Sequence, residues 1–127
     1  MRNPGAILVA EADHAVADLI TEVLRDDGYT VAIAYDRSTT LAAAAAQRPA
    51  LVLLDEHIPS LGAAALQAHI AGRHRVSVPI ITTTTHPAGP IALASRDSWA
   101  CLAKPFSLDV LIAHVTHYVP RERSAAS

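Results

Sequence analysis

The 127-residue chain holds one cysteine, Cys101, so no intrachain disulfide can form and a reducing cytosol is the expected home. Neither sign of charge dominates: 10 Lys and Arg face 12 Asp and Glu, for a formal net charge of −2. The cations are scattered rather than striped, which argues against broad attraction to nucleic acid or anionic lipid. No apolar run approaches the length of a membrane span. The first one, Ala6 to Ala10, is cut short by Glu11 and does not read as a secretory leader. The expectation is a soluble, cytoplasmic protein with no direct nucleic-acid or membrane contact. Glycine is missing from the turn Glu11-Ala12-Asp13-His14-Ala15, whose acids would repel a phosphate, so a glycine-rich nucleotide or flavin cradle is a poor reading. No internal repeat and no second domain is visible.

What is present is a rhythm. With 51% hydrophobic residues the chain has the material for one core, and short apolar runs alternate with helix-like stretches. That alternation predicts an α/β fold, a doubly wound parallel sheet of five strands flanked by five helices. The strands are expected at Ala6–Ala10, Thr30–Ala34, Leu51–Leu54 ending on Asp55, Pro79–Thr83 and Trp99–Ala103. The runs carry no polar alternation, as suits strands buried on both faces. In the first helix Val16, Leu19, Ile20, Val23 and Leu24 recur at helical spacing, and Gly28 supplies the stop. A second helix is expected from Arg37 to Gln47 and a third from Ala63 to Ala71, before Gly72. The fourth is a short one from Ile91 to Arg96, with Pro90 at its start. The last is capped by Ser107 and carries Leu108, Leu111, Ile112 and Val115 on one face. Residues 1–120 form the domain, and 121–127 read as a flexible tail.

In such a sheet, ligands sit beyond the carboxyl ends of the strands, where strand order reverses. Those ends carry Glu11 and Asp13 after the first strand, Asp55 on the third, Thr84 on the fourth and Lys104 after the fifth. The strings "ILVAEAD", "RPALVLLDEHIP", "VPIITTTT" and "AKPF", in this order and at these separations, resemble the receiver domain of response regulators from Ile7 to about Val119. The resemblance implies a flavodoxin-like strand order, 2-1-3-4-5, and a two-component phosphorelay in which Asp55 accepts a phosphoryl group from a histidine kinase or phosphotransfer protein. Lys104 would pair with a phosphoryl oxygen, Thr84 would donate to another, and a protein-interaction surface would switch toward a downstream partner. Pro105 would follow a cis peptide. Mg²⁺ would be held by Glu11, Asp55, the backbone carbonyl of His57 and, were the loop to bend inward, Asp13. Such a protein is not an enzyme beyond self-catalysed phosphoryl transfer at Asp55. An aspartate-nucleophile hydrolase is disfavoured, because Asp55-Glu56-His57 lacks the second carboxylate two residues on.

The chain departs from the family pattern in three places. Ala12 stands where a second acid would ligate the metal, so Mg²⁺ binding is expected to be weakened or absent. Asp13 has a competing reading as the N-cap of the first helix. Cys101 replaces a large aromatic ring and reads as a buried structural thiol. The interval from Asp55 to Lys104 is slightly short, with Pro87, Gly89 and Pro90 eroding the fourth helix. These departures keep an alternative open, a pseudo-receiver that acts as a phosphorylation-independent interaction module. His57 and His86 read as rim positions rather than zinc ligands, and His114 and His117 as exposed or flanking positions of the last helix. Homodimerisation through that helix is a further expectation.

Overall fold

The computed structural model describes residues 5–85 and 100–120. Five parallel strands, β1 (Ile7–Ala10), β2 (Val31–Ala34), β3 (Leu51–Asp55), β4 (Ile80–Thr84) and β5 (Ala100–Ala103), lie in the order β2-β1-β3-β4-β5. Four helices are seen among the described residues: α1 (His14–Asp26), α2 (Arg37–Ala46), α3 (Ala63–His74) and α4 (Leu108–Tyr118). The short helix expected over Ile91–Arg96 lies outside the described residues, as do Trp99, His86 and the expected tail from Arg121 onward.

Every residue of β1 and of β3 is buried, because helices cover both faces of the sheet. Pleating sorts their side chains into two cores. Ile7, Val9, Leu51, Leu53 and Ile81 meet Ala17, Ile20 and Leu24 of α1 with Leu111 and Val115 of α4. Leu8, Ala10, Val52, Leu54 and Ile80 meet Ala44 of α2 with Leu66 and Ile70 of α3. Each fully buried Leu or Ile contributes about 1.5–3 kcal/mol relative to an exposed one, and these pairs fix the register. Ile7 stands opposite Leu51 and Val52 opposite Ile80.

Two expectations are corrected. Helix α3 does not stop at Gly72 but runs to His74, and Arg75 closes it in the left-handed conformation (φ 64°). The last turn is anchored on α2, where His74 Nε2 donates to the Ala44 carbonyl (2.7 Å) and Arg73 Nε to that of Ala45 (3.2 Å). Those bonds and the burial of Ile70 outweigh the roughly 1 kcal/mol that a helical glycine costs. On α1, Leu19 stays 49% exposed, while Ala17 and Thr21 take the buried positions. Gly28 (φ 99°) closes α1 as expected.

At the pole of the sheet away from Asp55, the Tyr29 hydroxyl donates to the carbonyl of Val119, the C-cap of α4. The chain between α1 and β2 is thereby tied to the end of the last helix.

Candidate functional site

From β1 the chain crosses to β2 on one side and returns to β3 on the other, so the switch point lies between the carboxyl ends of β1 and β3. Glu11 follows the last residue of β1, and Asp55 is the last of β3. Both are buried, at 3% and 2% exposure. The register of β1 and β3, Ala10 opposite Leu54, makes Glu11 and Asp55 lateral neighbours on one face. Lys104 follows β5 by one residue and reaches back across β4 to both of them. Its Nζ donates to Glu11 Oε1 and Oε2 and to Asp55 Oδ1, each at 3.2 Å.

Backbone donors complete the cradle. The Ala12 N–H donates to Asp55 Oδ2 (3.1 Å) and the His57 N–H to Asp55 Oδ1 (3.0 Å). The Asp13 N–H donates to Glu11 Oε2 (3.2 Å). These partners decide how the two acids titrate. For Asp55, burial is the largest influence and favours the neutral acid, but the two amides, the Glu11 side chain and Lys104 together hold the carboxyl below its ordinary range. For Glu11, burial comes first and the Asp55 carboxylate second, and together they push it up against the Asp13 amide and Lys104. A proton offered to the pair goes to Glu11. Burial pulls the Lys104 ammonium down, yet the two carboxylates outweigh it and its pKa is raised. The resting site is therefore an ionised Asp55 facing a charged lysine.

Thr84, the last residue of β4, is 1% exposed, and its carbonyl accepts from the Lys104 N–H at 2.6 Å. Strand β4 thus brings Thr84 to the same edge as Asp55 and Lys104. The Lys104–Pro105 peptide is cis. Asp13 takes the capping role: its Oδ1 accepts from the Ala15 and Val16 N–H groups at 2.9 and 3.1 Å, closing the first turn of α1. His57 is exposed, with Nε2 3.3 Å from Thr85 Oγ1. Cys101 is half-buried rather than fully buried. Burial, then the charge of Glu56, push its thiol up, which suits an inert side chain.

Two features went unseen in the sequence. One is the Glu56 carboxylate, which accepts from the Thr85 N–H at 2.7 Å and its hydroxyl at 3.1 Å. The other is Thr83, paired with Asp55 across β3 and β4, whose Oγ1 is buried with no hydrogen-bond partner. Strand register reveals Thr83, since "TTTT" does not say which hydroxyl faces which core, and the reach of the Glu56 side chain reveals its hold on Thr85. Beside the site a mostly apolar groove of about 380 Å³ runs between α1 and the start of α4, lined in part by Val16, Leu19, Ile20, Lys104, Phe106 and Leu108. It accounts for the exposure of Leu19.

The fold and this strand-end pair of acids with their lysine define a class, and comparison with known proteins identifies it. The family model of the response regulator receiver domain matches residues 7–116, and the chain belongs to that family. It is similar to the DNA-binding response regulator MtrA of Mycolicibacterium smegmatis, 29% identical over 109 residues, covering 86% of this chain and 48% of that one. Similarity to the nitrogen assimilation regulatory protein NtrX of Azorhizobium caulinodans is also 29% over 109 residues, covering 84% of this chain and 24% of that one. The chain thus spans half or less of the length of these curated relatives. The chemotaxis protein CheY4 of Vibrio cholerae shares the fold, with a TM-score of 0.77 at 20% identity over 92% of this chain and all of that one. The chain is therefore a receiver domain of the two-component type, a signalling module. Response regulators work with histidine kinases and downstream effectors.

Receiver domains generally bind Mg²⁺. The donors present here do not match a tight site for it. The gap between the two carboxylates is spanned by the Lys104 ammonium, Asp13 caps a helix, and Ala12 has no donor atom in its side chain. Among the described residues no group of three or more His, Cys, Asp or Glu side chains converges on one point. Mg²⁺ asks for near-ideal octahedral oxygen geometry and yields its waters reluctantly, so an ammonium between its two carboxylates is a direct competitor.

Proposed function

We propose that residues 1–120 act as a phosphorelay receiver in which Asp55 takes a phosphoryl group from a histidine kinase or phosphotransfer protein. The observation that carries this reading is the ionised Asp55 carboxylate at the switch point, held by two backbone amides with the Lys104 ammonium 3.2 Å from Oδ1. In the transfer, an Asp55 oxygen forms a bond to phosphorus as the phosphorus–nitrogen bond of a phosphohistidine protonated on its other ring nitrogen breaks; the bonding pair stays on the ring, which departs as neutral imidazole. Lys104 neutralises charge on the transferred group, an effect strongest in a buried site. Thr84 donates a hydrogen bond to it, and movement of Thr84 biases a protein-binding surface. The apolar groove beside Lys104 favours docking of a protein partner. Mg²⁺ binds weakly at Glu11, Asp55 and the His57 carbonyl, because Ala12 offers no ligand. The protein works in the cytoplasm.

The occupied gap between Glu11 and Asp55 favours a second reading, a pseudo-receiver that signals without phosphate through the same surface. One experiment separates the two. The protein is incubated with Mg²⁺ and phosphoramidate, and intact mass is followed for one added phosphoryl group that is lost in Asp55→Asn. A folded protein that takes up no phosphoryl group with any divalent cation rules out the first reading in favour of the second.

A further inference from the structure

The end of β4 is tied down by a carboxylate. Thr85, directly after Thr84, donates its backbone N–H to Glu56 Oε2 at 2.7 Å and its hydroxyl to the same oxygen at 3.1 Å. Glu56 is itself fixed, because its N–H donates to the Thr83 carbonyl at 2.9 Å. The next residue ties this cluster to the acceptor: the His57 N–H reaches Asp55 Oδ1 at 3.0 Å, while its Nε2 lies 3.3 Å from Thr85 Oγ1 and 3.7 Å from Glu56 Oε2. The Thr85 donors therefore stand at the rim of the Asp55 cradle. A backbone N–H and a hydroxyl converging on one point at a strand end are suited to an oxyanion. Here an oxyanion is already seated on them.

We propose that Glu56 is a resident competitor for an oxyanion at Asp55, a positioning residue that holds Thr84–Thr85 at rest until a phosphoryl group displaces its carboxylate. The inference rests on the reading of Asp55 as the acceptor. Two effects act together. The Glu56 side chain is only 21% exposed, so its charge at the mouth is incompletely screened and opposes an anionic donor. Thr84 cannot move toward Asp55 without carrying the Thr85 amide off Glu56. Glutamine at position 56 keeps an acceptor for Thr85 and drops the charge, whereas alanine drops both, so the two variants separate repulsion from tether.

The full chain is labelled with phosphoramidate as wild type, Glu56→Gln and Glu56→Ala, with Asp55→Asn as blank, and the rate is read by intact mass. The expected result is labelling about tenfold faster in Glu56→Ala, with Glu56→Gln between it and wild type, a size in keeping with one like charge at a partly buried site. Equal rates in all three overturn the inference while leaving Asp55 as acceptor. Should no form label, the Asp55 reading fails by itself, and the competitor is tested directly by titrating inorganic phosphate. The Thr85 amide resonance is expected to move with phosphate in Glu56→Ala and to hold still in wild type over the same range. A Thr85 amide that ignores phosphate in the variant, or follows it equally in both, overturns the inference.

Discussion

Lys104 Nζ stands 3.2 Å from both oxygens of Glu11, so a residue after β5 anchors an acid after β1 while also holding Asp55 between them. The three strands are joined at one edge by a single ammonium. Replacing it with an uncharged side chain leaves two buried carboxylates side by side. Lys104→Met is expected to cost about 2–4 kcal/mol at neutral pH, read from urea denaturation, because breaking a buried pair strands a charge. In a Glu11→Gln background the same substitution is expected to cost distinctly less, since only Asp55 is then stranded. Equal costs in the two backgrounds would show that Lys104 and Glu11 are not coupled.

Glu11 gives the fold a pH dependence of known sign. Its folded pKa is raised, so the folded protein holds this proton more tightly than the unfolded chain does. The corresponding stability is fully present below the ordinary glutamate range and is lost as pH rises through the raised value. Asp55 runs the other way: its lowered pKa contributes stability above the ordinary aspartate range that is lost on acidification. Thermal midpoints measured across the acid range should show a decline on the rising limb in wild type that disappears in Glu11→Gln, with the Asp55 contribution kept. A decline of the same size in both proteins would remove Glu11 as its origin.

Ala12 and Asp13 make a paired test of the metal cradle. Ala12→Asp is expected to strengthen Mg²⁺ binding on the order of tenfold by calorimetric titration, by restoring a carboxylate where an octahedral cation needs one. Asp13→Ala should lower stability by about 1 kcal/mol through loss of the α1 cap, and leave Mg²⁺ affinity where it was. A fall in Mg²⁺ affinity on removing Asp13 would mean that the loop bends inward to ligate.

Thr83 buries a hydroxyl with no partner beside Asp55. Valine has nearly the same shape and no polar atom to desolvate, so Thr83→Val is expected to stabilise the protein by about 1 kcal/mol in urea denaturation. Destabilisation would show that the hydroxyl has a bound water or other partner to lose.

The strands and the core were legible because a strand buried on both faces leaves an unbroken apolar run, as in Leu51–Leu54, and ends visibly on a charge; the strand order followed only from the resemblance to receiver domains. The helix ends were less so. Gly72 reads as a stop, yet the anchoring of Arg73 and His74 on α2, a contact between residues some thirty positions apart in sequence, carries α3 past it to the left-handed Arg75. Asp36 and Thr39 form a reciprocal cap on α2 that lacks the familiar glutamate at the third position and so passed unnoticed. Within the site, Glu11, Asp55, Thr84 and Lys104 follow from counting to strand ends. The ammonium spanning the acids, and Glu56 on Thr85, depend on how long side chains fold back over a sheet, which spacing does not encode.

The bond from the Tyr29 hydroxyl to the Val119 carbonyl fixes where the polypeptide departs from its last helix. That departure lies beside the start of β2, whereas Asp55 ends β3, so roughly one strand length, about 17 Å, separates the chemistry from the exit. Val119 and Asp55 therefore lie at opposite poles of the sheet.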